Sequence, residues 1–477
     1  MSAATLTRVL PTAARTGALL ALGATLLRPA VALAGEPRMG ERFTLTGNKN
    51  AAAQLARRLP SFSRQTHLAC SACHYQFPQL TPFGRQFKLN GYTLSGLPEI
   101  SQKDSSERQT LKLSPISPVA AMVVISLTHV GKTVPGTSNG DVLFPTQLSL
   151  FYAGELTPKV GAFIQLTYAA PDAAIGLDNV DLRFADRTKL ADKSLLYGIS
   201  FENNPTVQDP WNTVPAWGFP FMASVVAPAP AAAPLIEGAL AQQVAGLGAY
   251  GLWNDLVYAE FTGYARAPQG VAYPIDSTTT GLPGSFSPYW RLALQHQWGK
   301  DYLMVGTFGM QSSLYPNALT GPSNRYTDIA GDVQYEHRIG DGVLIGRFTY
   351  INERQTLDAS VANGTADNLN NTLNTWRLNA SYDPSLALGF SLGAFGTTGT
   401  TDAALYPAAP VSGSATGSPN SSGFIGEFDY NPWQNTRLAI QYIGYTKFNG
   451  GSASYDGTTT RTAMNNNTLY LYLWMAF

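Results

Sequence analysis

The sequence predicts a mainly β fold: a transmembrane antiparallel β-barrel of about 16 strands behind a small N-terminal α-helical unit. Three observations carry this expectation. From about residue 115 onward, segments of about 10 residues alternate apolar with polar and are separated by Gly, Asn, Asp, Pro and Ser clusters. Charged residues make up only 13% of the chain, against roughly 25% in a typical soluble protein. No stretch supplies the uninterrupted apolar run of about 20 residues that a membrane-spanning helix needs. The first observation gives strands, the second suits a lipid-facing surface, and the third excludes a helical membrane protein.

The chain begins with a leader. Arg8 and Arg15 give a basic start, Gly17 to Leu27 an apolar run, and Ala32-Leu33-Ala34 the small residues before a cleavage placed ahead of Gly35. Residues 1–34 are therefore expected to be a signal peptide, 35–112 a helical unit and 113–477 the barrel. With 31 basic and 31 acidic residues, the chain has no basic footprint for nucleic acid.

The helical unit carries the chemistry. The chain's two cysteines lie in Cys70-Ser71-Ala72-Cys73-His74, too close in sequence for an ordinary loop-closing disulfide in an exported protein. Two thiols on one helical turn match the two vinyl groups of a haem, and the following His then lies under the iron. Cys70 and Cys73 are thus the expected thioether donors of one covalent haem c, and His74 its proximal iron ligand. Thr81 is a good N-cap, Pro82 suits the first helical position, and Asn90-Gly91 is a stop signal. A second helix is predicted from Pro82 to Leu89, with Phe83 and Phe87 on one face over the porphyrin edge.

No Met or His occurs between His74 and Met122, so the sixth iron ligand is left unassigned. Met39, Met122, Met222 and His129 are candidates, and an open site is the alternative. His67, two turns before His74 on an expected common helix, is read as a neighbour of the haem edge or a propionate.

Sixteen strand candidates run from 116–130 to 465–477, the sixth at 239–253, an even number as bacterial outer-membrane barrels require. Asn179 to Phe184 sets Val180, Leu182 and Phe184 against Asn179, Asp181 and Arg183. The C-terminal strand shows an apolar face of Leu469, Leu471, Leu473, Met475 and Phe477. Trp290, Trp298, Tyr302, Tyr382, Tyr430 and Trp474 are expected in interfacial girdles. The lumen is expected to be lined by Gln165, Asp181, Arg183, Glu202, Glu260, Arg291, Asp328, Asp332, Glu336, Arg347, Glu353, Arg377, Glu427, Asp429, Arg437 and Gln441. Asp328, Asp332 and Glu336, at spacings of four along one strand face, form an acidic row along the expected pore wall. The segment Asn204 to Pro234 is too long for a short turn and is expected to be an extracellular loop folding over or into the pore.

The chain also resembles the fused monohaem cytochrome–porin family of the outer membrane of iron-oxidising bacteria. The similarity lies in Arg64-Gln65-Thr66, the Cys70 to His74 motif, Phe77 to Lys88, and Asn204-Pro205-Thr206-Val207-Gln208-Asp209-Pro210-Trp211-Asn212. His67 stands where glycine is common in that family. The resemblance implies oxidation of extracellular Fe(II), with one electron passed through the haem to a periplasmic cytochrome or copper protein, and under it the acidic row Asp328, Asp332 and Glu336 is a candidate transient site for Fe²⁺. Outer-membrane lipid would surround the barrel. Two alternatives stay open: an electron conduit for another extracellular donor, and a solute-conducting porin in which the haem unit is a gate or sensor.

Overall fold

The computed structural model describes residues 60–94, 100–103, 106, 107, 109–113, 115–170, 173–284, 286–317 and 321–477. The expected signal peptide and Met39 lie outside the described residues.

Three short helices come first: α1 (Ser61–Thr66), α2 (Cys70–Cys73) and α3 (Pro82–Leu89). The predicted cap of α3 is present, with the Thr81 hydroxyl accepting from Gly84 N at 3.0 Å and Pro82 in the first turn. The expected continuous helix from His67 to His74 is absent. His67 ends α1 in the left-handed region, φ 56°, and α2 starts afresh at Cys70. Glycine is the residue that most easily takes such a C-terminal position. A hairpin follows, β1 (Ile100–Lys103) against β2 (Gln109–Leu113).

Sixteen strands then form one closed antiparallel barrel. The first seven are β3 (Val119–Val130), β4 (Val142–Thr157), β5 (Val160–Ala169), β6 (Ala174–Leu190), β7 (Lys193–Glu202), β8 (Val244–Trp253) and β9 (Val257–Arg266). After a two-residue β10 (Leu282–Pro283) come β11 (Ser287–Trp298), β12 (Asp301–Tyr315), β13 (Asn324–Ile339), β14 (Gly342–Thr356) and β15 (Asn370–Ser385). The last four are β16 (Leu388–Gly399), β17 (Ser421–Trp433), β18 (Thr436–Lys447) and β19 (Thr468–Ala476). Each pairs with its neighbour in sequence, β9 pairs with β11, and β19 closes on β3 with Ala476 opposite Met122. Closure removes both sheet edges, so every strand has a ladder partner on each side.

Each predicted strand coincides with an observed one. The one expected to start at 239 starts at Val244, because Leu235 to Gln243 is spent on successive turns closed by Ala239 N to Leu235 O and Gln243 N to Leu240 O. Turns of two or three residues join β4–β5, β6–β7, β8–β9, β11–β12, β13–β14, β15–β16 and β17–β18 at one rim. At Ala191-Asp192 both residues have positive φ, the backbone of a tight hairpin turn. The opposite rim carries the long connections, 203–243, 400–420 and 448–467 among them.

The strands place apolar side chains outward and polar ones inward. Leu247 and Leu392 are 64% and 71% exposed, whereas Arg183 and Arg291 on the inner face are sealed off. All of the sixteen predicted lumen residues except Arg377 are buried. That is the arrangement of a barrel solvated by lipid outside. Two of the expected girdle residues are corrected. Tyr302 and Trp474 point into the lumen, because their positions share the parity of Met304 on β12 and of Tyr470 and Tyr472 on β19. Trp298 and Tyr430 do face outward.

Candidate functional site

The segment 74–81 folds α3 back onto α2. His74 pairs with Leu80 in a short antiparallel bridge, Thr81 N donates to Cys73 O at 2.9 Å, and the Thr81 hydroxyl donates to Ala72 O at 2.6 Å. Gly84 is required at the crossing, since a Cβ there would land on the Cys73 carbonyl. The two helices are held against the inside of the barrel at the short-turn rim. Arg85 forms a buried ion pair with Glu336, and Tyr75 donates its hydroxyl to the same carboxylate at 2.7 Å. Tyr92 donates to Asp181 at 2.6 Å, and Tyr250 to the Leu89 carbonyl at 2.6 Å. Gln65 bonds the wall at both ends of its amide, giving to Ala153 O at 3.0 Å and taking from Glu155 N at 2.9 Å. Gln76 lies on Gly389, where a Cβ would collide with its amide.

The 203–243 connection enters from the other rim. Its Trp211 is fully buried, donating Nε1 to the Tyr302 hydroxyl at 2.6 Å and lying under the Arg291 guanidinium at 5.0 Å. Arg291 is paired with Asp209 of the connection and Asp332 of β13. The connection meets the helices directly. Leu80 N donates to Asn212 Oδ1 at 3.2 Å, and Lys88 Nζ donates to the carbonyls of Val207 and Asp209 at 2.7 and 2.8 Å. Arg183 gives one hydrogen bond to the carbonyl of Gln208 and another to that of Lys88. The expected loop does enter the pore.

One large cavity lies where these parts meet. It is lined by Cys70, Cys73 and His74 of the helical segment, by Ala120, Met122, Phe151, Ala153 and Phe163 of the first strands, and by Arg437, Trp474 and Ala476 of the last two. Asp209, Asn212 and Trp217 reach it from the long connection. Aromatic rings wall it: Phe62 stacks on Tyr92 at 5.6 Å and meets Phe87 edge-on at 5.2 Å, and Phe163 meets Trp217 at 6.3 Å. On another flank, Phe77 stacks on Trp474 at 4.8 Å and lies 5.2 Å from the His74 ring. The cavity volume is about 220 Å³, where a single water needs about 10–15 Å³.

The residues fit a haem. Cys70 and Cys73 are unpaired thiols one helical turn apart, and both face the cavity. Burial raises both thiols, Cys73 to about 12. Burial pulls His74 down to about 4, against the opposing carbonyls of Pro78 and Gln79. The imidazole is therefore neutral at pH 7, the form that binds a metal. Two buried donors in the lining are unpartnered, Gln76 Nε2 and Trp474 Nε1; Gln76 accepts from Arg437 at 3.3 Å through its oxygen, and Trp474 is the cross-strand neighbour of Arg437. A group with an apolar face, two carboxylates and a metal centre matches this donor set: Cys70 and Cys73 would hold it covalently, His74 would bind the iron, and Gln76, Trp474 and Arg437 would meet the carboxylates.

Several expectations are revised by the geometry. Phe87 lines the cavity but Phe83 does not. His67 is exposed and is not among the lining residues, although its neighbours Thr66 and Leu68 are. His129 points outward from β3, and Met222 packs against the Met122–Trp474 cluster without lining the cavity. The acidic row of β13 anchors protein rather than standing free for iron. Asp328 accepts from Ile236 N at 2.8 Å, Asp332 binds Arg291, and Glu336 binds Arg85. Among the described residues no cluster of three His, Cys, Asp or Glu has metal-binding geometry. Trp217 and Asn435 of the lining carried no sequence signal.

No protein-family model and no curated protein matches the sequence. Among solved structures, the chain is similar to the anion-selective porin from Comamonas acidovorans, with 12% identity over 75% of this chain and 98% of that one, TM-score 0.43. It is similar to the outer membrane channel DcaP of Acinetobacter baumannii at 11% identity, covering 75% and 96%, TM-score 0.43. A third is Salmonella typhi OmpF in complex with daunomycin, at 10% identity over 75% and 97%, TM-score 0.44.

Proposed function

We propose that this chain is an outer-membrane electron-transfer protein, in which a monohaem c-type cytochrome plug closes a 16-strand barrel. The donor is extracellular Fe(II) and the acceptor a periplasmic cytochrome or copper protein. The observation that carries the reading is the Cys70 to His74 turn: both thiols and the imidazole face one aromatic-walled cavity inside the barrel. Short turns face the periplasm in such barrels, which puts the cavity at the periplasmic mouth and the long connections outside. A haem c bound there supplies one-electron chemistry, so each Fe(II) leaves as Fe(III). The chain's own residues hold the cofactor in a fixed pose, keep water from it with Phe62, Phe87, Phe163 and Trp217, and hold His74 neutral.

The haem content of the purified chain, read as pyridine haemochrome and on a haem-stained denaturing gel, tests the cofactor. Anaerobic stopped-flow of the oxidised protein with Fe(II) tests the donor, and reduction of the haem bands within seconds is expected. A second reading, a solute-conducting porin gated by the haem unit, draws on the barrel itself. Steady single-channel conductance together with no reduction by Fe(II) would favour it. The helices and the 203–217 connection crowd the lumen and speak for the first.

A further inference from the structure

We propose that the Met122 thioether is the second axial ligand of the haem iron. The inference rests on reading the cavity as a haem site and says what lies on the side of the iron away from His74.

Among the described residues, the cavity lining holds few side chains able to bind iron, and all but one of those beyond the Cys70 to His74 turn are committed elsewhere. Lys88 Nζ donates to two carbonyls and lies 4.8 Å over the Trp217 ring. The hydroxyl of Tyr75 is held by Glu336, and that of Tyr92 by Asp181. Asp209 is paired with Arg291 and accepts from Trp211 N. Among the described residues of the lining, Met122 brings the one further ligating atom outside these commitments, and it is 5% exposed. The other sulfur and imidazole candidates with described positions, Met222, His129 and His67, lie outside the lining.

The surroundings of Met122 favour the role. It projects inward from β3 opposite Ala476, and Ala120 and Ala153 also line the cavity, so small side chains flank the long flexible one. Its packing partners Val124, Phe151 and Trp474 are apolar or aromatic. A neutral thioether adds no charge to that setting, and an unbranched Met adjusts its reach at low cost. A His/Met pair raises the haem potential relative to nitrogen ligation alone, which suits an acceptor for electrons from Fe(II).

The test uses the full mature chain in detergent. Oxidised wild type is expected to be low-spin and to show the far-red sulfur-to-ferric charge-transfer band. Met122→Leu should keep its covalent haem, lose that band and become high-spin. Met122→His should return to low-spin without the band and with a lower midpoint potential. Met39→Leu should leave the spectrum unchanged. A high-spin wild type, a band that survives Met122→Leu, or a band lost in Met39→Leu overturns the assignment while leaving the haem reading intact. Absence of covalent haem in the wild type overturns both. Should Met122→Leu fail to assemble, the wild-type band together with the Met122→His spectrum still decides.

Discussion

Replacing Arg85 with Leu removes the cation that fixes α3 to the barrel wall, and its cost follows from what the guanidinium touches. Arg85 is buried, pairs with Glu336, donates to the Leu80 carbonyl at 3.0 Å and lies 4.1 Å from the centre of the Tyr302 ring. Removing one member of a buried ion pair costs about 3–5 kcal/mol, because the other charge stays behind without compensation. Glu336 keeps hydrogen bonds from Tyr75 at 2.7 Å and Gln334 at 2.6 Å, which places the loss near the lower end, at about 3 kcal/mol. The loss bears on docking of the helices and leaves the strand ladder alone. At 1.4 kcal/mol per tenfold, release of the segment becomes roughly 150-fold more frequent. Hydrogen exchange of the α3 amides, read by mass spectrometry on the detergent-solubilised protein, measures that frequency. Arg85→Leu with Glu336→Gln should recover most of the protection, since no uncompensated charge remains. Unchanged α3 exchange in the single variant, or a double variant as exposed as the single one, would refute the reasoning.

Cys70→Ser with Cys73→Ser is expected to abolish covalent haem on a denaturing gel while the barrel still shows heat-modifiable migration. His74→Ala should lose stable haem binding and reduction by Fe(II) with the barrel intact, read by visible spectra; retained reduction would show that another residue binds the iron. Trp211→Ala empties a fully buried site and should loosen the 203–217 connection by about 3–5 kcal/mol, seen as new single-channel conductance. In the haem-free double serine variant, burial is expected to keep His74 near the value of about 4 it takes in this fold, against 6.5 in an open chain. The released segment then binds the extra proton, so docking weakens as pH falls from about 6.5 toward 4 and is unaffected above that window. Exchange of α2 and α3 amides at pH 7 and pH 5 checks the sign.

The strands were readable because a period of two, with charges on one face and aliphatic residues on the other, leaves little choice of register. Trp474 and Tyr302 went astray when aromatic character was set above parity: on β19 the even positions 470, 472 and 474 all turn inward. The cap of α3 was local chemistry and therefore visible, as was the Cys70 to His74 turn. The break at His67 depended on one left-handed residue that the expected helix does not contain. The rest of the cavity was hidden by distance along the chain. Arg437 reaches Gln76 across 361 positions, and Gln434 accepts from Ser71 N across 363. Only closure of β19 on β3 brings Trp474 and Met122 to the same wall, and no periodicity announces which residues a closed barrel will bring together.

The inner charges explain why the two inserts stay put. A carboxylate left alone in such an interior costs several kcal/mol, and here the inserts add partners to those the wall supplies, such as Arg183 on Asp181 and Gln334 on Glu336. Glu336 receives Arg85 and Tyr75 from the helices, and Asp181 receives Tyr92. Glu353 and Asp328 receive the backbone N–H groups of Leu235 and Ile236 from the connection, and Arg377 receives Glu237. Withdrawing either insert would strand carboxylates or Arg377 in the lumen until water entered, so both are held by the same term. They also hold each other, through Asn212 on Leu80 and Arg183 bridging the carbonyls of Gln208 and Lys88. A displacement on the long-loop side is therefore transmitted to the cavity wall at Trp217 and Asp209 by direct contact. An ion channel is served by mobile inserts. Under the proposed function a haem would be served by this locked pair, because electron transfer falls off with distance and a constant pose preserves it.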